Sequence, residues 1–314
     1  RSSDLGARCH EAAHHGTTAP QHHKQHSHRE EQGHKEQSWR GSERMNNCYK
    51  PLAAPAQNDG KSKRRDRDGK APNGTATKEP GLASSTRGDG RAPYDMRQVY
   101  MDVGVVAHAT GSAYVEFNHT KVICAVYGPH AQTGGDSAFS EEGQLQCDFS
   151  YAPFAMPGGR RETRGGKKDD ERELSTLLRQ TLESSIQVHR LTKSVVGVHV
   201  MVLQADGGEL AVATTCASMA LADAGIELYD LVTACSVGYC GTQMVLDPTK
   251  EEEKGGAGVM TIALMPGSQQ VTQWWQEGRF DGQKVAEALE LCTDGCGCVH
   301  KMMEAKLKAS TTKK

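Results

Sequence analysis

The sequence predicts an α+β domain, α/β-like in its alternation, over residues 89–314, with helices packed on a mixed β-sheet behind a polar tail of residues 1–88. Three observations carry this. Strand and helix patterns alternate over about 220 residues after Arg87. The tract QADGGELAVATTCASMALADAG (204–225) opens a helix of small apolar residues, which must be buried because a helix facing water shows a polar stripe. The first 88 residues show no such period, and eight histidines crowd between His10 and His34. A mean hydropathy of −0.62 and a hydrophobic content of 36% are low for a packed chain of 314 residues. The tail has too little apolar surface to offset its ordering entropy, and reads as a disordered leader rather than a metal-binding arm.

Order begins near Arg91. Residues 99–106 alternate as a strand, and 112–117 and 121–127 form a hairpin through Asn118-His119, closed by a Gly128-Pro129 stop. A polar loop over 130–143 leads to a strand over 145–154. Asp169 or Asp170 caps the next helix, in which Leu174, Leu177, Leu178, Leu182 and Ile186 recur at helical spacing to about His189. Residues 195–203 form a β-branched strand that runs into the buried helix. Strands are then expected at 228–239, 244–246, 259–265 and 270–275, with the acidic DPTKEEEK as a connecting loop. The last helix runs from Gly282 to about Leu307, with Val285, Ala288, Leu289 and Cys292 on its inner face.

A net charge of −2 confines any nucleic-acid site to a local basic patch. Of the 10 cysteines, Cys124, Cys147, Cys216 and Cys235 lie in apolar runs, where a thiol acts as a small buried hydrophobe. Without a secretory leader, this usage reads as reduced and intracellular. No apolar run approaches membrane-spanning length. The chain starts at Arg1, with Met45 and Met96 its first methionines, as a fragment or an over-extended reading frame would. Cys292, Cys296, Cys298 and His300 lack the C-x2-C pair of zinc sites, so packing is expected and no metal or other cofactor. Trp274-Trp275 is either an interface anchor or core. KSKRRDRDGK (61–70) reads equally as a nuclear localisation patch or as solvated charge, because aspartates interrupt it.

Three ordered motifs, RGDGRAPYDMR (87–97), GSAYVEFNHTKVICAVYGP (111–129) and QADGG with ALADAGIELYDLV (204–232), resemble the ribonuclease PH family. The resemblance covers about residues 87–308 and implies the ribosomal protein S5 domain 2-like fold. The eukaryotic RNA exosome uses such domains as ring subunits. That implies a six-membered ring of ribonuclease PH-like partners, cap subunits with S1 and KH domains, RNA as the shared ligand, no membrane, and a nuclear (nucleolar) and cytoplasmic location. Within the family, ALADAGIELYDLV, LDPTKEEE and GVMTIALMP resemble one ring-subunit type, and DDERELSTLLRQTLESSI with LQADGG another.

Active members of that family are phosphorolytic: inorganic phosphate attacks the 3′-terminal phosphodiester of RNA and releases nucleoside diphosphates. Their loop reads Asp-Gly-Gly-Thr/Ser-Arg. Here Asp206, Gly207 and Gly208 remain, but Glu209 replaces the hydroxyl and Leu210 the arginine. A carboxylate about 5 Å from an anion opposes it by about 3 kcal/mol at an effective dielectric of 20. Loss of the arginine removes a forked, charge-assisted contact. Asp247, Glu252 and Glu253 match the start of the family's acidic motif, whose closing aspartate falls on Val259 or its neighbour Gly258. The acidic run therefore reads as a solvated turn and the whole as a vestigial site, with no catalytic residue. Arg172 matches a phosphate-contacting arginine. The glycine-rich loop MPGGRRETRGGKKDD carries Arg160, Arg161, Arg164, Lys167 and Lys168, which the resemblance places on the ring's RNA channel. The expected function is a non-catalytic exosome ring subunit supporting 3′-to-5′ RNA processing and decay. Its rivals are an active phosphorolytic exoribonuclease and a stand-alone RNA-binding protein.

Overall fold

A computed structural model describes residues 87–131, 143–156, 166–241 and 243–312. The predicted tail, up to residue 86, therefore lies outside the described residues, as do most of the loop over 130–143 and the part of the basic loop that carries Arg160, Arg161 and Arg164; Arg87, expected in the tail, joins the domain.

Two sheets flank one helix. The first has strands β1 (Val99–Val103), β2 (Gly111–Phe117), β3 (Thr120–Ala131), β4 (Gln144–Tyr151) and β5 (Ser194–Gln204), in the order β1-β2-β3-β5-β4. It is mixed, since β4 runs parallel to β5 while the other pairs are antiparallel. The second sheet is antiparallel, with β6 (Thr233–Cys240), β7 (Gln243–Leu246), β8 (Gly258–Met265) and β9 (Gln270–Gly278) in the order β7-β6-β8-β9. Helix α1 (Gly166–Glu183) lies along β4, α2 (Glu209–Asp223) packs between the two sheets, and α3 is the short helix Lys250–Gly255. Helix α4 (Gly282–Thr311) covers β6 and β8.

Helix α2 is the shared core. Every residue from Leu210 to Leu221 is buried, as its lack of a polar stripe requires. Alanines such as Ala213, Ala217 and Ala220 let β2 and β3 approach from one side and β6 from the other. Its polar side chains stay satisfied inside: Thr214 and Thr215 donate to carbonyls one turn back, and Ser218 accepts from the Val232 amide. Of the thiols expected inside, Cys124, Cys216 and Cys235 are buried and Cys147 partly so, while Cys292 and Cys296 pack against the Cys235 and Thr233 carbonyls.

Several boundaries differ from expectation: the first strand stops at Val103 and β4 at Tyr151, β9 runs on to Gly278 and α4 to Thr311, and four further differences accompany these. β3 runs past its expected stop to Ala131 because β5 still offers partners, Val195 for His130 and Ser194 for Ala131; the Gly128-Pro129 bond is cis. Helix α1 starts before Asp169, which sits in its first turn rather than at a cap, and stops at Glu183. Ile186 is then drawn off to bridge Leu228, so the expected strand at 228–239 begins only at Thr233. The acidic loop is instead α3, closed by a capping box between Thr249 and Glu252. Among the described residues, no helix is long and apolar enough to cross a membrane.

Candidate functional site

The loop that joins β5 to α2 is Asp206-Gly207-Gly208. Both glycines are left-handed, with φ of 85° at Gly207 and 65° at Gly208, which caps the helix. A Cβ on Gly207 would lie 2.8 Å from both the Lys250 amide nitrogen and the Pro248 carbonyl oxygen. Only glycine fits there, because the loop lies directly against the start of α3.

What holds the loop is Arg97. Its side chain is fully buried and all five of its donors are used. Nε and Nη2 form a fork on Asp247, at 2.8 and 2.6 Å, and the Arg97 amide adds a third bond at 3.0 Å. Nη1 donates to Thr120 Oγ1 and the Asp206 carbonyl, both at 2.9 Å, and Nη2 to the Gly207 carbonyl at 3.1 Å. Thr120 Oγ1 donates in turn to the Gly207 carbonyl and accepts from the Asp206 amide. Burial disfavours both charges, yet the pair outweighs it, raising Arg97 above and holding Asp247 below its ordinary value. A buried pair with every hydrogen bond made fixes geometry rather than adding much stability.

The acidic run is therefore not the solvated turn that the sequence predicts. Asp247 is buried because Arg97 needs a partner there. Glu252 takes a two-pronged contact from Arg87, at 2.8 and 2.5 Å, and accepts the Thr249 amide. Burial works against its charge, but Arg87 holds it below the usual carboxylate range. Arg87 also donates to the Leu246 and Asp247 carbonyls, so the segment that opens the domain is clamped over the same corner. Arg91 pairs with Asp89 and lies 3.9 Å from the Asp247 carboxylate.

Glu253 does something different. Its Oε1 accepts the Gly208 amide at 2.9 Å, the donor that an incoming anion would use at this helix N-terminus. Burial first, and Glu209 second, push Glu253 up to about 7, against the pull of the amide, Arg97 and Lys250. Glu209 opens α2 with its side chain mostly buried, 3.6 Å from Lys250 Nζ. It is a helix-terminal charge, as expected. Leu210 is buried.

The structure thus brings together Asp206, Gly207, Gly208, Glu209, Leu210, Asp247, Glu252 and Glu253, and leaves two expected residues apart. Val259 sits on β8 between Gly238 and Glu277, and a side chain on Gly258 would clash with the Glu277 carbonyl at 2.7 Å. A side chain is therefore excluded at Gly258, and Val259 carries no group that could ligate a metal or relay a proton. Arg172 is largely exposed on α1 and pairs with Asp169 at 3.4 Å. Lys167 and Lys168 fall in the first turn of α1. Among the described residues, no three His, Cys, Asp or Glu side chains are arranged to hold a metal ion. The residues that sequence reasoning missed are Arg87, Arg97, Thr120 and Lys250. The signal was present for two of them: RGDGRAPYDMR holds three arginines in a segment too short to bury them without acids elsewhere.

Chemically, the corner is a cradle of the right backbone shape that is already filled. Six carboxylates (Asp89, Asp206, Glu209, Asp247, Glu252, Glu253) surround four cations (Arg87, Arg91, Arg97, Lys250), so a further anion meets a net negative corner.

This chain belongs to the 3′ exoribonuclease family, matching the model of its domain 1 over residues 95–227 and of its domain 2 over 230–295. Both ring-subunit types that the motifs resemble are represented among its relatives. It is 37% identical to the Arabidopsis thaliana exosome complex component RRP41-like over 227 residues, 72% of this chain and 86% of that one. It is 37% identical to the human exosome complex component MTR3 over 232 residues, 69% of this chain and 84% of that one. Of solved structures, the Archaeoglobus fulgidus exosome with RNA bound to the active site aligns at a TM-score of 0.59 and 22% identity, covering 70% of this chain and 92% of the other. That likeness extends to the fold.

Proposed function

We propose that this chain is a ribonuclease PH-like subunit of the RNA exosome ring that supports 3′-to-5′ RNA processing and degradation without performing phosphorolysis itself. The observation that carries the second half is the Glu253 carboxylate on the Gly208 amide. Phosphate must be held by amides and fixed cations for phosphorolysis. Here the amide is taken, Arg97 has no donor left, and an isobutyl group stands where active members carry arginine. The first half is supported by the exosome names of two relatives that this chain matches over most of their length.

In this reading the chain pairs edge to edge with another ribonuclease PH-like subunit, and three pairs close a six-membered ring. Cap subunits with S1 and KH domains sit on one face, and a separate nuclease supplies the chemistry. Strand β9 suits such a junction: it is an edge of its sheet and carries exposed Val271 and Trp274. The loop bearing Arg160, Arg161, Arg164, Lys167 and Lys168 contacts RNA phosphates along the channel, and the protein works in the nucleus, its nucleolus and the cytoplasm.

The test incubates the full chain, alone and with its ring partner, with RNA, phosphate and magnesium. No nucleoside diphosphate attributable to this chain is expected. Phosphate-dependent release that Glu253→Ala removes would assign the chemistry to this chain and overturn the inert reading. A monomer that recovers no ring subunit in pull-down and mass measurement would overturn the ring.

A further inference from the structure

Asp206 also lines an open cleft of about 500 Å³ that includes no residue of α3. The end of β5 forms its floor, the β2–β3 hairpin one wall with His119 and Lys121, and the turn after β4 the other wall with Phe154. Phe154 is 71% exposed, the most exposed of the large hydrophobic side chains described. It is not on a loose loop. The Ala152 amide donates to the Val202 carbonyl, the Ala155 amide to the Ala152 carbonyl, and the Ala205 amide to the Ala155 carbonyl. Two of these backbone bonds hold the turn against β5 and the residue that follows it, the third closes the turn on itself, and together they present the ring at its tip.

We propose that this cleft binds one nucleotide of single-stranded RNA, with the base stacked on Phe154 and the adjoining phosphate held by Lys121 and His119. The proposal deepens the ring-subunit reading and rests on it. The two walls divide as a nucleotide does, with an aromatic platform facing a pair of basic side chains. Lys121 is about one-third exposed, and its ion pair with Glu116, at 3.3 Å, engages one of the three ammonium donors. Gln204 and Asp206 lie on the floor, where an amide and a carboxylate can meet base-edge or ribose hydroxyl donors. The volume falls within the usual range of small-ligand clefts. In sequence, the aromatic wall leads directly from Met156 into the tract bearing Arg160, Arg161 and Arg164. RNA lying along that tract is thus offered a stacking site next to a cradle that takes no phosphate, and is held without being cut.

The experiment measures anisotropy of a fluorescein-labelled 12-nucleotide single-stranded RNA titrated with the full chain, and repeats it with the assembled ring. Phe154→Ala is expected to weaken binding about tenfold and Phe154→Tyr to leave it unchanged, the scale of one lost stacking contact. Lys121→Gln is expected to lower the slope of log affinity against log salt by about one. Unfolding midpoints of the Phe154 variants should match the parent, because the ring is exposed. Undiminished affinity in Phe154→Ala, while neutralising Arg160, Arg161 and Arg164 abolishes binding, would overturn the cleft and keep the channel reading. No RNA binding by chain or ring would sink both. Unchanged RNA affinity with loss of a ring partner would make Phe154 a protein contact and overturn the proposal.

Discussion

Replacing Glu253 with glutamine should stabilise the protein above neutral pH, with the gain shrinking to about a quarter at pH 5 and vanishing below about pH 4.5. Glu253 is held half-buried with its carboxylate on the Gly208 amide and Glu209 close by, and titrates at about 7 rather than 4.5. Between those two values the folded chain keeps a proton that the unfolded chain has lost. Stability therefore falls as pH rises through this window, and the penalty is complete above about pH 7. The rise corresponds to roughly 3 kcal/mol for a fully buried group, and to about 2 kcal/mol once partial exposure is allowed for. Glutamine keeps an oxygen for the Gly208 amide and carries no charge, so it escapes the penalty. Urea unfolding of parent and variant at pH 5 and pH 8 checks this, and the difference of differences cancels every other titrating group. A pH-independent difference, or a variant less stable at pH 8, would refute the claim that a strained carboxylate fills the cradle.

Two further outcomes follow from the same corner. Arg97→Met leaves Asp247 buried and unpaired and should cost about 3–5 kcal/mol, much of it recovered in the Arg97→Met/Asp247→Leu double variant; a loss below about 1 kcal/mol in urea unfolding would show that this pair does not anchor the loop. Gly207→Ala should cost about 3 kcal/mol, against about 1 kcal/mol for Gly241→Ala, because both have positive φ but only Gly207 meets backbone atoms at 2.8 Å; equal losses on thermal unfolding would remove the close-approach argument.

The strands and helices were legible because their periods survive in the chain. The hairpin through Asn118-His119, the buried character of α2 and the thiol packing of α4 follow from local pattern and side-chain size. Asp206, Gly207 and Gly208 were legible as a cradle, and Glu209 and Leu210 as its spoilers, because the loop is continuous in sequence. The role of Asp247 was not legible. An acid in an acidic run reads as solvated until its partner is known, and its partner lies 150 positions away.

The residues by themselves determined the order of the strands and of the longer helices and the need for glycine at the turn, and the family resemblance marked a leucine where active members carry arginine. Only the tertiary structure decided what fills the place that remains. The Gly208 amide opens a helix and has no partner within it, and α3 has to pack back against β6 and the glycine loop before the Glu253 oxygen can reach it. Hydrogen bonds and burial depend on where distant segments meet, and no local pattern of residues records that.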